Sequence, residues 1–247
     1  MTVISVSNSV SDVAEGLTAN RRTVAMFGGT FDPIHHAHLR LALELRDRLA
    51  FDQVLLLPCA LPTHRESPGC SADQRLEMVR LAVGDEPKLQ VDDRELLSDE
   101  PSYSYHSLLS LRQQLGDDVS LTMVMGADAL LKLDSWYRWQ ELLELGHILV
   151  VSRPGWHLTG DHPLADWVDQ HRVENFERIQ NSAAGGVYIQ QLPGLDISAT
   201  AIRQLIEGGS SPRYLLPDPV FDWIKQNHLY TGETQSKTGA ETSNNDG

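Results

Sequence analysis

Gly28-Gly-Thr-Phe-Asp-Pro-Ile-His-His-Ala-His38 is the stretch from which the fold of this chain can be read. Directly before it, Thr23-Val-Ala-Met-Phe27 is an apolar run of strand length, and directly after it Leu39 to Leu49 carries apolar residues at helical spacing. The motif therefore joins a strand to a helix. Its two glycines let the backbone approach a ligand with no Cβ in the way, and a helix N-terminus offers N–H groups and positive dipole to an anion. His35 and His38 are three residues apart, so a helix begun by that point carries both imidazoles on one face, beside the same phosphate. A plain βα turn accounts for a glycine pair or for one histidine. It does not account for the glycine pair, Asp-Pro and two spaced histidines together, which point to phosphate chemistry.

Outward from the motif, apolar runs recur as strands at Thr23–Phe27, Gln53–Leu57, Leu89–Asp92, Val119–Met125, His147–Ser152 and Val187–Gln191, with amphipathic stretches between them. That alternation predicts an α/β fold: a doubly wound, Rossmann-like parallel sheet in three α/β/α layers, with a small C-terminal helical part. A chain of 247 residues can bury a full core. We expect one domain over 22–230, flanked by polar tails, 1–21 and 231–247, whose compositions suit disorder. The net charge of −14 disfavours a nucleic-acid partner. No apolar run reaches membrane-spanning length, and the first residues lack a signal-peptide pattern, which predicts a cytoplasmic protein without a membrane partner. Cys59 and Cys70 have no metal-type spacing and read as free thiols. Nothing in the sequence decides whether the chain forms a homo-oligomer.

In a doubly wound sheet ligands bind at the carboxyl ends of the strands, so the loops there carry the candidate chemistry. Pro58 to Arg65 presents His64 and Arg65 after the second strand, either toward that crevice or as incidental cations on a solvated loop. Ser102 is a candidate cap for a helix starting near Tyr103. Gly126-Ala-Asp128 ends a strand, where Asp128 fits a ribose diol or the cap of a helix over Ala129–Leu133. Trp136, Tyr137 and Trp139 stand together; helical periodicity would bury at least one of them and leave a ring face for stacking. Arg153 follows another strand, as a ligand-edge cation or an ordinary surface charge. Ile197-Ser-Ala-Thr-Ala-Ile-Arg203 opens a helix running to about Glu207. Ser198 there reads as an N-cap, while Thr200 and Arg203 lie within one turn, placed to share a triphosphate with the N–H groups.

The opening stretch closely resembles the signature of the nucleotidylyltransferase superfamily, Gly-Gly-Thr-Phe-Asp-Pro-Ile-His-x-Gly-His, with Ala37 in place of a glycine. A left-handed alanine would cost about 1–2 kcal/mol, whereas a helical alanine beats glycine by about 1 kcal/mol. Residue 37 is therefore expected to be helical. From about Arg22 to Tyr230 the chain resembles the bacterial nicotinate mononucleotide adenylyltransferase family, which acts in NAD biosynthesis. The Gly126–Pro154 region and Arg213-Tyr-Leu-Leu-Pro-Asp218 carry that narrower likeness.

The resemblance implies an ATP site at Gly28, Gly29, Thr30, Phe31, His35, His38, Gly126, Asp128, Ile197, Ser198, Thr200 and Arg203, with His35, His38 and Arg203 catalytic. It implies a nicotinate mononucleotide site at His64, Arg65, Ser104, Trp136, Tyr137 and Arg153, with Trp136 stacked on the pyridine ring. It also implies Mg²⁺ arriving with ATP and few protein ligands for it, since magnesium retains much of its water. Two further departures stand out. The family's Pro-Pro-His-Lys is Pro62-Thr-His-Arg65 here, and an acid of the loop before the third helix is replaced by His106. Rival readings are an adenylyltransferase acting on nicotinamide mononucleotide or phosphopantetheine, and a catalytically silent nucleotide-binding regulator.

Overall fold

Six strands, β1 (Arg22–Gly29), β2 (Gln53–Pro58), β3 (Leu89–Val91), β4 (Val119–Gly126), β5 (His147–Ser152) and β6 (Val187–Gln191), form one parallel sheet in the order β3-β2-β1-β4-β5-β6. They are seen in a computed structural model that describes residues 21–60, 69–98 and 101–232. The helices between them are α1 (His36–Arg48), α2 (Ala72–Val83), α3 (Ser104–Leu115), α4 (Ala127–Leu130), α5 (Leu142–Leu145), α6 (Ala165–His171), α7 (Phe176–Gln180), α8 (Ala199–Glu207) and α9 (Asp218–Gln226). Among the described residues no helix is long and apolar enough to cross a membrane.

Both faces of the sheet are covered, which is why its strands read as near-continuous apolar runs rather than as alternating patterns. Ala25, Phe27, Val54 and Leu56 pack toward Ala42 and Leu45 of α1, Met78 and Val79 of α2, Ile202 of α8 and Val220 and Ile224 of α9. Val24, Met26, Leu55, Leu57, Leu121 and Met123 pack toward Leu108 and Leu111 of α3, Leu142 of α5 and Val168 of α6. Each such side chain contributes about 1.5–3 kcal/mol by leaving water. The doubly wound, three-layer architecture expected from the alternation is present, with α8 and α9 as its C-terminal helical part.

Several local boundaries differ from the sequence reading, each for a physical reason. β1 runs through both glycines, because Gly28 pairs with Leu57 and Gly29 with Pro58; the glycines end the strand instead of forming a loop. The helix after the motif begins at His36, ahead of the apolar-periodic stretch from Leu39, and includes residue 37 as expected. Ser102 does not cap α3: Tyr103 occupies that position, and Ser102 Oγ accepts the Ala60 N–H at 3.0 Å. Asp128 does not cap a helix over Ala129–Leu133 either, since α4 starts at Ala127 with Gly126 as its N-cap. The Trp136–Trp139 stretch is not helical in the expected sense. Two short 3₁₀ turns, Leu133–Ser135 and Trp139–Glu141, flank Arg138 at φ +51°, and none of the three aromatics is fully buried. Apart from Arg21, Thr231 and Gly232, both tails lie outside the described residues, as do His64 and Arg65.

The strand order reverses between β1 and β4, and in such sheets the ligand crevice opens above the carboxyl ends at that point. The paired register ends at Phe27↔Val124, so Gly28-Gly29 and Met125-Gly126 lie side by side at its rim.

Candidate active site

His35 is the N-cap of α1, with extended backbone, and the helix starts at the next residue. Ala37 is thus helical, as the alanine predicts. The rings of His35 and His38 stack with centroids 3.8 Å apart and planes 20° from parallel. His38 Nδ1 accepts the backbone N–H of His35 at 3.3 Å, which leaves the proton of the neutral ring on Nε2. The edge of Phe31 supports the His38 ring at 5.0 Å. Phe31 itself is buried at φ +49°, so its ring belongs to the core and only its backbone can face a nucleotide.

His35 is 4% exposed, and the His38 N–H approaches its side chain in a capping box without a well-formed hydrogen bond to Nδ1. Burial, reinforced by the neighbouring His36, pushes its pKa down to about 4, so the ring is neutral at pH 7.

The two glycines have separate reasons. A Cβ on Gly29 would lie 2.9 Å from Phe31 Cζ, so this glycine is required by the fold. A Cβ on Gly28 would meet nothing within 4 Å. No internal contact requires glycine there.

Helix α8 brings in the second motif. Ser198 caps it, accepting the Ala201 N–H at 3.2 Å. From its first turns Arg203 reaches the opening loop: Nη1 donates to the Asp32 carbonyl at 2.7 Å and lies 3.5 Å from Asp32 Oδ2, while Nη2 donates to Thr200 Oγ1 at 3.4 Å. Two segments 171 residues apart in the chain are thereby joined at one point. Ile197, just before the cap, packs half-buried against the core. On the β4 side, Asp128 Oδ1 folds back to 2.6 Å from where a Gly126 Cβ would stand, so only glycine admits that carboxylate position.

On the far side of the crevice the aromatics are organised by stacking. Tyr137, 45% exposed, lies on Tyr103 with centroids 4.8 Å apart and planes 23° from parallel. Trp136 is half-buried against the core. The stack sets Tyr137 beside the N-terminus of α3, whose first residue is Ser104. Among the described residues no acceptor meets the N–H of Tyr137 or of Ser104. Arg153 follows β5 and pairs with Asp196 at 3.1 Å, both side chains being largely exposed, so the contact it makes is a surface ion pair beside the α8 motif.

Three supporting residues escaped the sequence reading. Arg75 is buried in α2 and donates to the carbonyls of Thr30 at 2.8 Å and Ala60 at 3.0 Å, clamping the ends of β1 and β2 together. Its signal was a cation three and four residues before the buried Met78 and Val79, on the apolar face of its helix. Asp32 was visible as part of Asp-Pro in the motif but was given no role of its own. Glu95 accepts from Ser107 Oγ at 2.6 Å, and burial raises its pKa. It looked like one more surface acid.

The residues from 26 to 205 match the family model described as cytidylyltransferase-like. A relative from Cellvibrio japonicus, named nicotinate-nucleotide adenylyltransferase, is 46% identical over 210 residues, covering 85% of this chain and 99% of its own. The chain belongs to this adenylyltransferase family. A second member, from Yersinia enterocolitica, is 43% identical over 86% of this chain and 97% of its own length. Among solved structures, the nicotinic acid mononucleotide adenylyltransferase of Plasmodium falciparum complexed with NaAD shares the fold, with a TM-score of 0.62 at 16% identity over 85% of this chain and 97% of that one.

Proposed function

We propose that this protein transfers the adenylyl group of ATP to nicotinate mononucleotide, giving deamido-NAD and pyrophosphate, in NAD biosynthesis. The observation that carries the assignment of residues is the junction at Asp32, where Arg203 of α8 meets the loop that presents the stacked His35 and His38.

A phosphate oxygen of the mononucleotide attacks the α-phosphorus of ATP in line. As that bond forms, the bond from the α-phosphorus to the oxygen bridging it to the β-phosphorus breaks, and pyrophosphate departs with the electron pair. No covalent enzyme intermediate is needed, so the protein's contribution is alignment and charge stabilisation. His38 offers Nε2–H to the transferring phosphoryl group. Neutral His35, whose buried ring is stacked on His38 and makes only a weak capping contact, gains a stronger partner there. Arg203 and Thr200 take the leaving pyrophosphate, together with the first N–H groups of α8 behind Ser198. Gly28 lets the nucleotide lie close to β1, with Gly29, Thr30 and Phe31 offering backbone, and Asp128 at the end of β4 takes the ribose hydroxyls.

On the acceptor side, Trp136 stacks on the pyridine ring, and the N–H groups of Tyr137 and Ser104 bind the nicotinate carboxylate. Amides aimed at a carboxylate favour the acid mononucleotide over the amide. Arg153 would reach the acceptor phosphate only by leaving Asp196.

Among the described residues no three His, Cys, Asp or Glu side chains could together hold a metal ion. The polar groups here are donors suited to phosphate oxygens. Mg²⁺ fits as part of the substrate MgATP, held by phosphate oxygens and water, where it neutralises charge on the triphosphate.

A pyrophosphate-release assay with nicotinate mononucleotide, nicotinamide mononucleotide and phosphopantetheine tests the reading. Release with the acid mononucleotide at the highest kcat/KM is expected; ATP binding with no release from any of them would establish a silent nucleotide-binding protein.

A further inference from the structure

Asp32 has more donors than a turn residue needs. It is 5% exposed, and its Oδ1 accepts the Tyr230 hydroxyl at 2.7 Å and the Cys70 thiol at 3.2 Å, while Oδ2 accepts the Gly69 N–H at 2.8 Å. Cys70 Sγ also lies 3.2 Å from the Tyr230 hydroxyl oxygen. The Arg203 guanidinium completes the ring around this carboxyl group through the Asp32 carbonyl and Oδ2. The packing is equally close. A Cβ on Gly69 would stand 2.9 Å from the Tyr230 ring and 3.4 Å from Arg203 Cδ, so the glycine lies close between tyrosine and arginine.

Tyr230 comes after α9, at φ +61°, 198 residues from Asp32. Burial raises the pKa of its hydroxyl, and burial also pushes the Cys70 thiol up to about 12, so both stay protonated donors at neutral pH.

Resting on the adenylyl-transfer reading, we propose that Asp32 and Tyr230 are positioning residues for Arg203: Tyr230 fixes the Asp32 carboxyl group, and Asp32 fixes the guanidinium that receives pyrophosphate. An arginine on the first turns of α8 has four rotatable bonds, and without this anchor its fork would sample solvent. The carbonyl and Oδ2 contacts hold it in one orientation before ATP arrives. The donors on the other edge of the carboxyl group keep Asp32 from rotating to follow the arginine outward. The C-terminal segment after α9 thereby becomes part of the catalytic assembly.

The experiment is a double-mutant cycle on the full chain. Tyr230→Phe keeps the ring against Gly69 and deletes only the hydroxyl. Its kcat/KM for ATP is expected to fall about tenfold, with the KM for nicotinate mononucleotide unchanged. In an Arg203→Ala background the same substitution is expected to change kcat/KM less than twofold, because the group it acts through is gone. Asp32→Asn, which keeps the side-chain shape, serves in the same cycle should Tyr230→Phe fold poorly by thermal midpoint. Wild-type kinetics for Tyr230→Phe, or an equal loss in both backgrounds, would overturn the proposal: the hydroxyl would then support the fold alone. Absence of pyrophosphate release by the wild-type chain would instead remove the reaction itself, a separate outcome from either.

Discussion

The half of this crevice assigned to phosphate and the half assigned to pyridine are built by different means. The phosphate half is cross-linked: His35 stacked on His38, His38 propped by Phe31, and Arg203 tied to Asp32 across the chain. The pyridine half is a shelf, in which Tyr137 lies exposed on Tyr103 and Trp136 leans on the core between two short 3₁₀ turns. The difference fits what each is proposed to bind. A triphosphate carries concentrated charge that shifts along the reaction coordinate, and preorganised donors stabilise such charge most. A pyridine ring needs only a flat apolar face and one or two amides.

If that contrast holds, the largest effect comes from the cross-linked half. His38→Ala removes the Nε2–H donor and should lower kcat about 10²–10³-fold, the range for losing one preorganised transition-state donor. The KM for nicotinate mononucleotide should stay within twofold and the thermal midpoint near wild type. Near-normal turnover would remove this histidine from the mechanism and with it most of the contrast.

The next effect separates the two glycines. Gly28→Ala has room in the protein, so its thermal midpoint should stay within about 1 °C of wild type while the KM for ATP rises ten- to a hundredfold. Gly29→Ala drives a methyl into the Phe31 ring and should destabilise the fold by about 1–3 kcal/mol, in the overpacking range. Measuring both by thermal unfolding and ATP kinetics tests whether Gly28 serves the ligand and Gly29 the core. A stability loss at Gly28 would break the distinction.

The pH dependence of His35 sharpens the comparison further. Its folded pKa of about 4 lies below the unfolded value near 6.5, so between these pH values the unfolded chain binds the extra proton. Stability attributable to this ring is complete above pH 6.5 and falls as pH drops toward 4, by up to about 3 kcal/mol. His35→Gln should flatten that part of a denaturant-midpoint profile over pH 4–6.5, and an unchanged slope would mean the ring is not held neutral by burial. The buried His147 shifts in the same direction and supplies a residual slope.

What could be read from the sequence divides along the same line. The βα motif, the sheet and the α8 motif were legible because phosphate chemistry uses glycines, histidines and capping residues at fixed local spacings, and parallel strands are apolar throughout. Ala37 was legible for the same reason, since one propensity decides its conformation. Asp32, Tyr230 and Arg75 were not legible as site residues: their roles arise from contacts 15 to 198 residues apart, and singly they look like a turn acid, a terminal aromatic and a helix cation. The aromatic shelf was misread because helical periodicity was imposed on a segment where Arg138 takes a left-handed conformation and interrupts it.

The smallest effects belong to that shelf. Trp136→Ala removes one stacking face, about 1 kcal/mol, so the KM for nicotinate mononucleotide should rise about fivefold with kcat and the KM for ATP unchanged. Tyr137→Ala should do less, within about threefold, because it keeps the backbone N–H assigned to the carboxylate and loses the ring contacts with Tyr103, Tyr105 and His106 that steady it. The selectivity for acid over amide mononucleotide, set by the amides, should survive both substitutions. A collapse of selectivity in Tyr137→Ala would mean the tyrosine stack fixes the amide as tightly as Asp32 fixes Arg203, and the pyridine half would then be as preorganised as the phosphate half.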